Sequence, residues 1–207
     1  MQEIKIKVIG KTELLMHNGR TKDPLNIYTQ AIKPLTSKGK KTDADHEALA
    51  RIEWESGLYL VGGEIKLEAE IIEACFRNGC KRNKNGEKFK SGVRVIEDYL
   101  PLFYKGPKIT GIPTIRAEEK DITLVPIPQL DKFYPHFIDK RAVRVQRNSV
   151  MRTRPIFHNW SLECTLGIDE EIINKDAVLL GCGEGGRFNG ICERNVGHFG
   201  LFDIEEI

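Results

Sequence analysis

Residues 67–79 read LEAEIIEACFRNG, with Leu67, Ile71, Ile72, Cys75 and Phe76 recurring at helical spacing. That periodicity predicts an amphipathic helix from about Leu67 to Asn78, and Gly79 suits the C′ position that ends one. Just upstream, LYLVGG (residues 58–63) reads as a short strand closing in a glycine turn. Further back, IKIKVI (residues 4–9) alternates apolar and basic side chains, the pattern of a half-buried strand. Residues 19–41, GRTKDPLNIYTQAIKPLTSKGKK, carry two prolines and few large aliphatics and read as a long excursion from the core. Thr42-Asp43-Ala44-Asp45 then supplies an N-cap and first-turn acids for a helix through about Trp54.

Downstream, CKRNKNGEKFKSGVRV (residues 80–95) reads as a basic, turn-rich loop. Residues 100–135 hold six of the nine prolines and read as an irregular insertion with short strands. Residues 141–147 and 160–168 have the pattern of paired strands, a short helix is predicted over Asn174–Leu180, and HFGLFDIEEI closes the chain as a strand. This order predicts an α+β protein: a single ferredoxin-like, RNA-recognition-type domain over residues 1–207, with large insertions at approximately 19–56 and 100–138. An irregular β-rich fold is the alternative.

Composition narrows the function. The 207 residues are 40% hydrophobic and 30% charged, ordinary values for a globular protein. No signal-peptide-like or membrane-length apolar run is present, so a cytoplasmic protein without membrane contact is expected. Five cysteines, an odd number, point to reduced thiols rather than a disulfide framework.

The formal charge is only +2, yet the basic residues are segregated. Residues 77–94 contain Arg77, Lys81, Arg82, Lys84, Lys88, Lys90 and Arg94 against Glu87 alone. Residues 140–154 contain Lys140, Arg141, Arg144, Arg147, Arg152 and Arg154 and no acid. With Lys38, Lys40 and Lys41, these segments hold half of the 32 basic residues. Such segregation suits a polyanion track, because each phosphate neutralised releases condensed counterions. If Val143 and Val145 face a core, Arg144 projects from the opposite sheet face, and Phe89, Phe157 and Trp160 are the candidates for base stacking. The plainer reading is a solvated strand whose arginines pair with acids elsewhere in the fold.

Candidates for chemistry are sparse. His17, His46, His136, His158 and His198 form no compact ligand pattern, and the cysteines lack CxxC pairs, so neither a metal nor another cofactor is expected. GCGEGGRFNG (residues 181–190) follows a predicted helix rather than opening one, which argues against a nucleotide cofactor. Its Gly185, Gly186 and Gly190 are expected to form a glycine-rich loop, serving either as a flexible turn or as a backbone surface that another chain or a nucleic acid approaches closely. Asp23, in TKDPL, is the one catalytic candidate, although an Asp before Pro ordinarily belongs to a turn.

The opening IKIKVIGKTELLM followed by an excursion holding Asp23, then LYLVGGEIKLEAEIIEACFRNG, then GGRFNGICERNVGHFGLFDI, together resemble the RAMP superfamily, RNA-recognition-fold proteins that include the backbone subunit of CRISPR effector complexes. The overall texture, including MRTRPIFHNWSLE, also resembles phage- and prophage-encoded proteins. Gly62-Gly63-Glu64 stands where family members usually show proline-glycine-serine. The resemblance implies RNA binding, side-by-side assembly into filaments and, through a loop aspartate, cleavage of target RNA in some members.

The expectation drawn is a noncatalytic protein that binds single-stranded RNA or DNA, RNA favoured, as a homo-oligomer or filament along the strand. Arg141, Arg144, Arg147, Arg152 and Arg154 are its expected phosphate contacts, supported by Lys81, Arg82, Lys84, Lys88 and Lys90. The alternatives are a phage-encoded interaction protein that mimics or blocks a host CRISPR complex, and a metal-dependent RNA endonuclease using Asp23.

Overall fold

The structure, a computed structural model, describes residues 1–106, 109, 115–118, 121–124, 135–145, 148–193 and 198–207. Along the chain run β1 (Gln2–Gly10), β2 (Leu14–Leu15), α1 (Ile27–Ser37), α2 (Asp43–Gly57), β3 (Leu60–Val61), β4 (Glu64–Glu68), α3 (Ala69–Arg82), α4 (Gly86–Gly92), β5 (Val93–Val95) and β6 (Tyr99–Pro101). There follow β7 (Ile115–Glu118), β8 (Asp121–Leu124), β9 (Ile138–Val145), β10 (Asn148–Phe157), β11 (Ser161–Ile168), α5 (Lys175–Phe188) and β12 (Phe202–Glu206). The protein is α+β, with antiparallel sheets, and among the described residues no helix is long and apolar enough to cross a membrane.

The chain divides into two compact units: Met1–Leu15 with Tyr59–Lys105 and Phe157–Ile207, and Met16–Leu58 with Gly106–Ile156. The first is built on a four-stranded sheet in the order β12-β1-β11-β5, every neighbouring pair antiparallel. Alternation in β1 buries Ile4, Ile6 and Val8, and β11 buries Leu162, Cys164 and Leu166 in register beside them. A fully buried aliphatic side chain of this kind stabilises by roughly 1.5–3 kcal/mol. β5 pairs with β11 rather than with β1, and β12 pairs with β1, so each strand–helix–strand passage steps over one strand.

α3 and α5 pack on each other, and α5 packs on β12. The glycines make this possible. A Cβ on Gly79 would lie 2.0 Å from the Gly181 carbonyl oxygen and 2.3 Å from the Gly185 nitrogen. One on Gly185 would lie 2.6 Å from the Cys75 carbonyl, and one on Gly186 would lie 2.3 Å from the Phe202 carbonyl. Three expectations are corrected by this packing. α3 runs on to Arg82, so Gly79 lies inside it rather than beyond its end. α5 is not a short helix over 174–180: it extends to Phe188 and takes in the glycines. The expected loop of Gly185 and Gly186 is therefore helix; only Gly190, at φ 68°, lies in the turn that follows. Close approach between backbones, not flexibility, is what those glycines serve. The basic loop expected at 80–95 is likewise the end of α3, α4 and β5, with Phe89 buried as the apolar anchor of α4.

In the second unit, the excursion at 19–41 contains a helix that its prolines concealed. The Asn26 side chain accepts from the Tyr28 N–H at 3.1 Å to start α1, which continues through Pro34. Tyr28, Ala31 and Leu35 form its buried stripe and pack with Ile52 of α2. α2 begins as its sequence predicts, with Thr42 and Asp45 closing a reciprocal capping box. Of the stretch 141–147, residues 141–145 lie in β9 and do not pair with 160–168, and 146–147 fall outside the described residues. β9 pairs with β10 from Asn148↔Val145 to Pro155↔Ile138, while β11 is held between β1 and β5. A hairpin between adjacent strands costs less loop-closure entropy than the longer pairing.

Candidate nucleic-acid interface

The β9–β10 register sorts the expected phosphate contacts. Asp139, Arg141 and Val143 on β9 share a face with Arg154, Arg152 and Val150 on β10, because directly paired residues project the same way. Arg144 projects from the other face, opposite Ser149. The arginines thus do not form one row. Val143 is half-buried rather than core, and the Val145 side chain lies outside the described residues. The Arg141 guanidinium is held by both carboxylate oxygens of Asp139, its Nε at 2.9 and 2.8 Å. Arg152 donates to Glu53 Oε1 at 2.5 Å, and the Thr153 N–H donates to the other Glu53 oxygen at 3.0 Å. Arg141 and Arg152 accordingly have structural anchors, as the plainer reading of the sequence expects. Arg154 is half-buried. Arg144 is exposed and makes no ion pair with a described residue. Arg147 lies outside the described residues.

The second basic set belongs to the other unit. Lys81, Arg82, Lys84, Lys88 and Lys90 are all exposed. Lys81 and Arg82 fall in the last turn of α3 and Lys90 in that of α4, where cations complement the helix macrodipole. That accounts for part of the segregation. It does not account for Lys84, in the turn after α3 at φ 60°, or for Lys88. Lys84, Lys88, Lys90 and Arg94 make no ion pair with any described residue. Arg187, exposed near the end of α5, adds a cation that the sequence alone did not single out.

The expected stacking aromatics are all core. Phe89 and Trp160 are almost wholly inaccessible and Phe157 entirely so, and the Trp160 Nε1–H donates to the Thr12 carbonyl at 2.8 Å. Phe188, which reading the sequence missed, is 55% exposed at the last position of α5. The Arg82 guanidinium lies 4.0 Å from its ring centroid and 3.8 Å from Glu184, which is one turn before Phe188 on α5. Asn83 also donates to Glu184, at 3.1 Å. The signal existed as an i, i+4 pair, Glu184 and Phe188, but reading the segment as a loop removed the helix that gives such spacing meaning.

The open face of the four-stranded sheet has a different character. Lys5 pairs with Glu163 at 2.8 Å, Lys7 stands between Glu163 and Glu205, and Glu97 accepts from the Thr165 hydroxyl at 2.7 Å. Its charges are mixed, and none of these positions is aromatic.

Asp23 is exposed, and its Oδ1 accepts from the Leu25 N–H at 2.9 Å, the Asx-turn geometry expected before proline. Among the described residues, no three His, Cys, Asp or Glu side chains are placed to hold a metal ion. The five cysteines are unbonded, and Cys75, Cys80, Cys164 and Cys182 are buried. Burial pushes the Cys80 thiol up to about 11 and the Cys164 thiol to about 12, and raises the Cys182 thiol well above its ordinary value. No protein-family model matches the chain, and no curated protein matches it.

Proposed function

We propose that this protein is a noncatalytic binder of single-stranded nucleic acid, with its phosphate-binding surface on the α3–α4 segment and the neighbouring end of α5. The observation that carries the reading is the set of exposed cations Lys84, Lys88, Lys90 and Arg94, which make no ion pair with any described residue within one short segment. Holding like charges together costs free energy in the isolated protein, and a polyanion relieves that cost while releasing its own counterions. The sheet order β12-β1-β11-β5, with a helix in each crossover, supports the finer assignment of the first unit as ferredoxin-like. A cytoplasmic location is proposed from the apolar pattern of the sequence, whereas assembly along the strand and kinship with the RAMP superfamily rest on the sequence resemblance. So does a role against a host CRISPR complex. Asp23 is given no catalytic part, since its carboxylate serves its own turn.

The test is a titration of wild type and of the Lys84→Glu/Lys88→Glu/Lys90→Glu variant against labelled single-stranded RNA and DNA over a range of salt. The variant is expected to bind at least about tenfold more weakly. Its plot of log affinity against log salt should be shallower by about 2, at roughly 0.7 for each phosphate that the variant leaves unneutralised. Unchanged affinity and slope would overturn the reading.

A further inference from the structure

Three phenylalanine or tyrosine side chains are exposed among the described residues: Tyr99, Phe103 and Phe188. Their surroundings differ in sign. Tyr99 stands opposite Glu68 in the β4–β6 register and follows Asp98 in the chain, so a phosphate approaching it meets carboxylates. Phe103 is bridged to Ser161 beside Glu163. Phe188 has Arg82 against its ring and exposed Arg187 as its chain neighbour, and Arg82 in turn sits between Lys81 and Lys84 near the end of α3. The acid that joins this group is Glu184, which is engaged by Asn83 and lies beside Arg82.

We infer that Phe188 is a base-stacking platform, with Arg82 as the residue that positions it, and that it makes the surface selective for unpaired bases. A phenylalanine 55% exposed costs solvation at the end of a helix, where a polar residue would serve as well. A guanidinium packed at 4.0 Å restrains that ring and leaves area for a base to cover. Surrounding lysines and arginines would hold the flanking phosphates, and the stack would hold the base. A duplex hides its base faces and gains only the phosphate contacts. This inference rests on the nucleic-acid reading above, and its test separates the two.

Wild type, Phe188→Ala, Phe188→Leu and Phe188→Trp are titrated against a labelled thymidine oligonucleotide, an abasic strand of equal length and a duplex. The alanine and leucine variants are expected to bind the thymidine strand about five- to one-hundred-fold more weakly, the range of one base–aromatic stack. They should keep the wild-type salt slope and bind the abasic strand as wild type does, and Phe188→Trp should retain tight binding. Leucine preserves apolar bulk, so a loss there cannot be laid to folding. If wild type binds all three probes with strong salt dependence and the variants match it, the stacking inference is wrong while phosphate binding stands. If wild type binds none of them, both readings fall.

Discussion

Asp45 joins two elements of the second unit. One of its carboxylate oxygens accepts from the Thr42 N–H and hydroxyl, both at 2.9 Å, and the other accepts from Lys38 at 2.5 Å. The Lys38 ammonium first, and then the two Thr42 donors, hold its carboxyl at about 2, below the ordinary 3.8. A carboxylate whose folded value is depressed contributes stability that is present above about 4 and lost as pH falls through about 2. Asp45→Asn is therefore expected to melt below wild type at pH 7, with the gap closing between about pH 4 and pH 2. A thermal-melt series over that range checks it, and a gap that persists at pH 2 would remove the ionic explanation. Thr42→Ala should cost about 1 kcal/mol through removal of the cap. The hairpin arginines divide in the same manner. Arg152→Ala is expected to destabilise by about 1–3 kcal/mol, because Glu53 is deprived of a charged donor in a largely buried site. Arg144→Glu should change stability by less than about 0.5 kcal/mol, as an exposed position with no ion pair to a described residue. Denaturant melts of the two variants distinguish an anchor from a solvated charge.

At the scale of elements, the packing of α3 against α5 makes opposite forecasts for glycines a few residues apart. Gly79→Ala places a methyl group against the backbone of α5, and Gly185→Ala places one against the backbone of α3, so neither obstacle can rotate away. Each should cost about 1–3 kcal/mol or more, the range for overpacking. Gly183 lies in the same helix with nothing within 4 Å of its Cβ position. Gly183→Ala should then stabilise by about 0.5–1 kcal/mol, because glycine inside a helix carries an entropic cost without use. Chemical denaturation of the three variants checks the contrast; equal effects would mean that α5 does not approach α3 so closely. The same element bears on the proposed binding surface, since α5 ends at Phe188, the ring that Arg82 covers.

For the whole molecule, the thiols report the integrity of the first unit. Cys75, Cys80, Cys164 and Cys182 come from α3, β11 and α5 and are buried. Burial raises the Cys80 and Cys164 thiols to about 11 and 12, so almost no thiolate exists near pH 8. A disulfide-exchange reagent at pH 8 is expected to label these four only as the fold opens, and all of them in denaturant. Rapid labelling of the native protein would show that the α3–α5 layer opens readily. Local patterns were legible without coordinates: the alternation of β1, the Thr42–Asp45 start of α2 and the closing strand β12 each depend on residues close together in the chain. Arg141 and Arg144, three apart in a strand, were bound to project oppositely for the same reason. The glycines of α5 and the aromatics were not legible. Glycine serves a flexible turn and a close backbone approach equally well, and only Gly79 on a distant helix distinguishes the two. Phe89, Phe157 and Trp160 are buried while Phe188 is exposed, because burial depends on which surfaces the fold brings over each ring and not on the neighbours each has in sequence.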